Sequence, residues 1–495
     1  MRHAHHRSVP RFHAAAAVVA LTGALVVVAI VAAPPGWATD GWTRHTPSDP
    51  LLGGSGNQLM QSVASTASGF VAVGSDDSVT AAAVWFSPDG SSWSRVAHQE
   101  GIFGGPDLQY MYDVVQGPGN AVIVGASGPS ADQDAAVWTG GGTIWKRAKD
   151  APAVFGGTGN QVMYSVAAAG PGLVAVGTDD SGGDLDAAVW TSAYGSTWTR
   201  VPHVEAVFGG AHRQWMKGVT AGGPGVVAVG MDESIDGSSD AAVWTSVNGT
   251  SWTQVPHSEA VFGGGNVSMY GVVAGGPGLV AVGHEITNGD SDAAVWTSVD
   301  GLTWTRVPHN ESVFGGPSNQ KMLDVAVGGP GLIAVGYDND GTDRDAAVWT
   351  SPDGLTWTRV PHDEATFGGP EIETMNGIAV DATGAAVAAG TQWFNYDYDA
   401  ALWTYTATAA PPPPPASPRN AHPSSVPATA AAPTATASST ASATVASPVA
   451  SPSPTAQAAP ADSPGRDYTP YAIAGVSAAV VAAAALGWFL ARRRL

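Results

Sequence analysis

The sequence predicts an all-β protein: a seven-bladed β-propeller closed by its own N-terminal strand. Three observations carry that prediction. The block Ala-Ala-Val-Trp, in its last copy Ala-Leu-Trp, ends at Trp85, Trp138, Trp190, Trp244, Trp296, Trp349 and Trp403, at steps of 52 to 54 residues. So regular a period marks one supersecondary unit copied and stacked. Each copy holds four short β-rich runs punctuated by Gly, Pro and Asp, with no helical period. A second tryptophan position also occurs seven times, at Trp42, Trp93, Trp145, Trp198, Trp252, Trp304 and Trp357. Its first copy precedes any complete unit, and the last unit lacks its own. Residues 41–44 therefore supply the outermost strand of the final blade, because an open array would expose unpaired edges and uncovered apolar faces.

One copy shows the elements in order. Trp304 to Val307 is a strand, and residues 308–317 form a loop. Met322 to Val327 is a second strand, and the glycine-rich turn at 328–331 leads into a third at Leu332 to Gly336. Tyr337 to Arg344 reads as an acidic loop, Ala346 to Ser351 as a fourth strand, and Pro352-Asp353-Gly354 as a tight turn back to Trp357. The seven methionines at 60, 111, 163, 216, 269, 322 and 375 hold one fixed place per unit. They read as packing residues, since no imidazole repeats beside the soft thioether.

The turns Ser87-Pro-Asp89-Gly90-Ser-Ser92-Trp93, Ser298-Val-Asp300-Gly301-Leu-Thr303-Trp304 and Ser351-Pro-Asp353-Gly354-Leu-Thr356-Trp357 resemble the Asp-box, or BNR repeat, of sialidase-like propellers. They are one residue shorter between Asp and Gly than that motif. Asn248-Gly249 and Tyr194-Gly195 are weaker copies, and Gly141-Gly142 is weaker still. The resemblance spans residues 39–406 and implies a turn in which the Asp accepts backbone N–H bonds while the Trp packs into the blade. It implies a non-catalytic member. Sialidases hold their substrate carboxylate with three arginines, whereas Arg44, Arg95, Arg147, Arg200, Arg306 and Arg359 all fill one Trp-x-Arg slot on the outer strand. Arg213 and Arg344 alone fall outside that slot within the ring, and two arginines cannot form a triad.

Residues 39–406 carry 39 of the 41 Asp and Glu but 12 of the 20 Lys and Arg, a formal charge of −27. That balance excludes nucleic acid as a partner and disfavours anionic lipid. The absence of cysteine excludes disulfides, thiolate metal sites and cysteine nucleophiles. Asp338, Asp340, Asp343 and Asp345 place hard oxygens at alternate positions around Gly341, which makes Ca²⁺ the candidate ion. His98, His203, His257, His309 and His362 each precede a Glu by two residues. Repetition of that pair in five units points to loop bracing, because a catalytic site occurs once per ring.

Departures from the repeat are the better guide to a ligand site. Trp393, Tyr396 and Tyr398 replace the acidic loop in the last unit, and His212, Arg213 and Trp215 enter the loop after Phe208. Tyr110 and Tyr112 stand at the matching place in another unit. Aromatic faces with a few polar groups suit sugar or peptide.

The chain ends give an address. Arg2, Arg7 and Arg11 followed by the uncharged run 14–33, with Gly36 and Ala38 before a cleavage point, mark 1–38 as a signal peptide or signal-anchor. Residues 407–469, rich in Pro, Ala, Ser and Thr, hold too little apolar surface to fold and read as a disordered stalk. As polyproline II its 411–464 span reaches on the order of 150 Å. Residues 470–491 read as a transmembrane helix, long enough for ~30 Å of hydrocarbon, and the basic tail 492–495 stays in the cytoplasm. The expectation is a cell-surface, membrane-anchored binding module for an extracellular protein or glycan, in the envelope of a high-GC Gram-positive bacterium and without enzymatic activity. The alternatives are a glycoside hydrolase on a sialidase-type propeller and a Ca²⁺-dependent adhesion or structural repeat protein.

Overall fold

The computed structural model describes residues 41–45 and 51–406, apart from 79, 150, 234–237, 288, 330, 342, 370–371 and 395–396. The expected signal peptide, stalk, transmembrane helix and basic tail lie outside the described residues, as does Tyr396. Among the described residues no helix is long and apolar enough to cross a membrane.

Seven four-stranded antiparallel sheets, the blades, follow one another along the chain. Blade 6 is representative, with strands Gln320–Gly328, Gly331–Asn339, Arg344–Ser351 and Thr358–Arg359 paired in chain order. Blade 7 (Glu373–Val380, Ala386–Phe394, Asp397–Tyr405) takes its outer strand from Trp42–Arg44, with Trp42 opposite Tyr405 and Arg44 opposite Trp403. The ring is therefore closed by hydrogen bonds between residues more than 300 positions apart. The first strands of consecutive blades meet one another all the way round, blade 7 to blade 1 included, and so surround the axis.

The core is divided among seven seams, one between each pair of neighbouring blades. Each sheet buries both faces, which is why its second strand reads as an unbroken apolar run such as Phe70-Val71-Ala72-Val73. The repeated Trp of the third strand is fully buried, and in every blade its indole N–H donates to a carbonyl of the interblade loop, as Trp296 does to Val261 at 2.8 Å. The seven methionines are fully buried in the seams. A β-bulge follows each of them, turning the next residue towards the neighbouring blade. Glycine after the bulge allows close approach, since a Cβ on Gly271 would stand 3.0 Å from Asp324 Cα.

Two expectations need correction. Antiparallel pairing extends to Asn339 opposite Arg344, so the acidic loop of blade 6 is confined to 340–343 and Asp338 and Asp345 lie on strands. The stretch 308–317 holds one helical turn, Glu311–Phe314, and four other blade crossings do the same. The turns resembling the Asp-box have the expected hydrogen bonds. Asp353 Oδ1 accepts from Leu355 N (2.9 Å) and Thr356 N (2.7 Å), and Trp357 Nε1 donates to Gly354 O at 2.9 Å. Asp300 is held below the usual carboxylate range by the same backbone N–H bonds, from Thr303 and Leu302.

Candidate functional site

Antiparallel register brings the interblade loops and the tips between second and third strands to one face of the ring. On that face the innermost strands carry a file of aromatic and cationic side chains across three blades. Tyr110 stacks on Tyr112 (centroids 6.1 Å apart), Tyr112 meets Tyr164 of blade 3 at 5.3 Å, and Lys217 of blade 4 places Nζ 3.9 Å above Tyr164 and 4.5 Å above Trp215. The bulges build this file: Tyr112, Tyr164 and Lys217 each directly follow a repeated methionine. Burial pushes the Lys217 ammonium down to about 8 and the Tyr112 and Tyr164 phenols up. Trp215 Nε1 is buried with no hydrogen-bond partner among the described residues.

Other polar groups extend outward from the first strands onto the second and third strands of later blades. Tyr270 stacks on His284 at 5.6 Å, and Arg344 lies 4.5 Å above Tyr337. Asp113 joins three blades, accepting from Ser62 Oγ (2.7 Å), Ser165 Oγ (2.9 Å) and the N–H groups of Val114 and Val166 (both 2.8 Å). Asp324 accepts from Val325 N (2.8 Å) and Ile378 N (2.9 Å). Burial raises both carboxyls, Asp324 to about 7, with the Asp113 charge adding to that shift.

Burial holds His284 down at about 3. An unfolded histidine titrates near 6.5, so this group's contribution is fully present above that pH and is lost as pH falls towards 3. His284→Phe is expected to match the wild type at pH 7 and to exceed it at pH 4.5 by about 3 kcal/mol, read from melting curves at the two pH values. Equal pH dependence in the two proteins would contradict the assignment.

The residues singled out in the sequence are only partly brought together. Tyr110, Tyr112 and Trp215 belong to the file. Trp393 and Tyr398 form their own T-shaped pair, 4.7 Å apart, in blade 7, two blades round the ring from Tyr110. His212 is half-buried, and Arg213 lies 3.8 Å from Glu233. Of the acidic residues of blade 6, Asp343 is raised by burial and by the charge of Asp340, and Asp343 in turn adds to the burial that raises Asp345. Asp338 pairs with Arg359 and accepts from Gln320 at 2.8 Å, while Asp340 Oδ1 accepts from Asp343 N at 3.1 Å. Asp345 faces His362 of the next loop.

Sequence reasoning missed Tyr164 and Tyr270, and Lys217 stood out only as a basic residue of the unusual run 211–217. The signal was the column directly after each methionine, which varies (Gln61, Tyr112, Tyr164, Lys217, Tyr270, Leu323, Asn376) while the methionine does not. The slot arginines sit on outer strands, each over its own blade's Trp at 5.5–5.8 Å. Most pair with a carboxylate at the end of the second strand, as Arg306 does with Glu285 at 2.6 Å. They are structural staples remote from the axis.

The histidines of four blades each meet two carboxylates: Asp186, His203 and Glu205; Asp240, His257 and Glu259; Asp292, His309 and Glu311; Asp345, His362 and Glu364. The donor atoms of each group lie within 4.8 Å of one another. Burial lifts Asp345 to about 6.

No family model matches the chain, and no curated protein does. Among solved structures it is similar to a Trypanosoma rangeli sialidase in complex with sialic acid, at 12% identity and TM-score 0.40, covering 74% of this chain and 59% of that one. It is also similar to a variant of an α-L-arabinofuranosidase from Fusarium graminearum (10% identity, TM-score 0.36, 74% and 95% covered). A Penicillium chrysogenum α-L-arabinanase complexed with arabinobiose is similar at 11% identity and TM-score 0.35, with 74% and 96% covered. The chain spans about three-fifths of the sialidase's length. At these identities the likeness concerns the fold alone and carries no argument about activity.

Proposed function

We propose that this chain is a cell-surface, membrane-anchored propeller that binds a glycan, free or carried on a protein, at the axial mouth of the ring. The observation that carries this reading is the unbroken file Tyr110–Tyr112–Tyr164–Lys217–Trp215. Aromatic faces stack on the apolar faces of sugar rings, and a cation with few competing partners fixes an acidic or hydroxyl-rich substituent. The ring's attachment agrees with it. The described chain enters at Trp42 and leaves at Tyr405, paired to each other at the end of blade 7 opposite the mouth. Both ends of the described chain therefore lie away from the mouth and leave it unobstructed. A glycan array probed with the full chain and with Trp215→Ala and Tyr164→Ala tests the reading. A saturable class of glycans, lost in both variants, is expected; binding that survives both variants would refute it.

Asp113 and Asp324 favour a second reading, hydrolysis of the bound sugar, because raised carboxyls suit a general acid. Each of them already accepts backbone N–H groups from an adjoining blade, which suits a staple between innermost strands. Binding without turnover is therefore the expected outcome when any glycan found on the array is incubated with the protein and its reducing ends are counted.

A further inference from the structure

The repeated histidines form a separate constellation, in the crevices where each interblade loop crosses the third strand. Blade 5 has the most complete version. His309 Nε2 lies 3.1 Å from Glu311 Oε2 and 3.9 Å from Asp292 Oδ2. Asp292 is buried, whereas Glu311 is exposed. The other imidazole nitrogen, Nδ1, is buried, has no hydrogen bond among the described residues and lies 3.5 Å from Glu285 Oε1. Glu285 is itself fixed by Arg306 at 2.6 Å. His203, His257 and His362 repeat the arrangement, with Nε2 3.1–3.3 Å from the following Glu and 3.7–3.8 Å from the upstream Asp.

The bond from His to the following Glu braces the loop whether or not the Asp is present. His98 makes the same bond to Glu100 at 3.0 Å, although Ala81 stands where the other blades have Asp. The loop brace thus forms without the third residue. In the four complete blades two carboxylates converge on one imidazole, leaving net negative charge in a ring that is already acidic. Bonds of about 2.05 Å to a tetrahedral ion separate neighbouring donors by about 3.3 Å, and the observed donor separations bracket that value. Imidazole favours borderline ions such as zinc over calcium. A carboxylate aimed at the remote ring nitrogen, as Glu285 is at His309, is the usual support of a metal-bound histidine.

We propose that the four His–Asp–Glu crevices bind divalent transition-metal ions of the zinc type, one per crevice, most tightly in blade 5. Three protein donors leave a fourth position for water or a ligand atom. The ions would sit between an interblade loop and the preceding blade and so pin that loop to its own blade. This inference does not depend on the axial mouth.

Zinc chloride titrated into the metal-stripped full chain, in competition with a chromophoric chelator, counts the sites. Co²⁺ absorption then reports their geometry. Up to four equivalents are expected, in line with the four clusters. His309→Ala should remove the tightest equivalent, and alanine at His203, His257, His309 and His362 together should remove all of them. His98→Ala should remove none. No zinc uptake, or uptake unchanged in the fourfold variant, overturns the proposal. Should the fourfold variant fail to fold, Glu311→Gln at an exposed position serves instead: loss of the tightest equivalent supports the site, and its retention overturns it.

Discussion

Deleting residues 39–46 lowers the melting temperature of the whole ring in one step and does not merely fray an end. Trp42 is buried at the seam of blades 6 and 7, 6.2 Å from Phe367 and 5.5 Å from Tyr405 by ring centroids. Removing it forfeits roughly 2–3 kcal/mol of apolar burial. Arg44 contributes more. Its guanidinium donates to Gly368 O (2.5 Å), Gln392 Oε1 (2.6 Å) and Glu373 Oε1 (2.8 Å) while lying 5.6 Å above Trp403. Glu373 is 2% exposed, so without Arg44 a buried carboxylate is left unpaired, at about 3–5 kcal/mol. The third strand of blade 7 then becomes an open edge with unpaired carbonyls and N–H groups. The seams are mechanically in series around a closed ring, so loosening one removes the constraint on the others. Calorimetry of the full chain against the deletion variant measures this. A lower, single transition is expected, and unchanged melting would refute closure by this strand.

Trp296→Ala is expected to destabilise by about 3–5 kcal/mol, as truncation of the equivalent Trp in any other blade is. The indole is fully buried in the seam of blades 4 and 5, among Met269, Phe262 and Ala281. Its N–H satisfies the Val261 carbonyl at 2.8 Å, and Arg306 rests on its face. Truncation opens a cavity, strands that carbonyl and frees the Arg306–Glu285 pair. Trp296→Phe keeps most of the volume and loses the hydrogen bond, for about 1–2 kcal/mol. Urea unfolding of the two variants separates the contributions. Equal losses would mean that the hydrogen bond, and not the packing, dominates.

The architecture was legible because a period written seven times leaves one way to bury both faces of each sheet. Even the closing strand could be placed by counting Trp42 against Trp403. Strand ends were less legible: Tyr337-Asp338-Asn339 looks like a polar loop, yet it pairs to Arg344 because hydrogen bonding, not hydrophobicity, sets where a ladder stops. The candidate site was half visible. Tyr110, Tyr112 and Trp215 stand out as departures from the repeat, but the contacts that make them a file run through Tyr164 and Lys217, 52 and 53 residues further along from one blade to the next. Those contacts exist only once blades are stacked and the bulge after each methionine has turned its neighbour aside. Likewise Asp292 and His309 carry no sequence signature as a pair. They lie on different elements and meet only because a loop crosses back over its own blade.

The proposed recognition site is the axial mouth and not the outer rim. The most direct test is calorimetric titration of an array-selected glycan into the full-length protein, Lys217→Met, Trp215→Ala and the outer-strand variant Arg306→Met. Saturable binding by the wild type and by Arg306→Met is expected, with at least tenfold weakening (about 1.4 kcal/mol) in Lys217→Met and Trp215→Ala. Undiminished affinity in both axial variants, or loss confined to Arg306→Met, would contradict it.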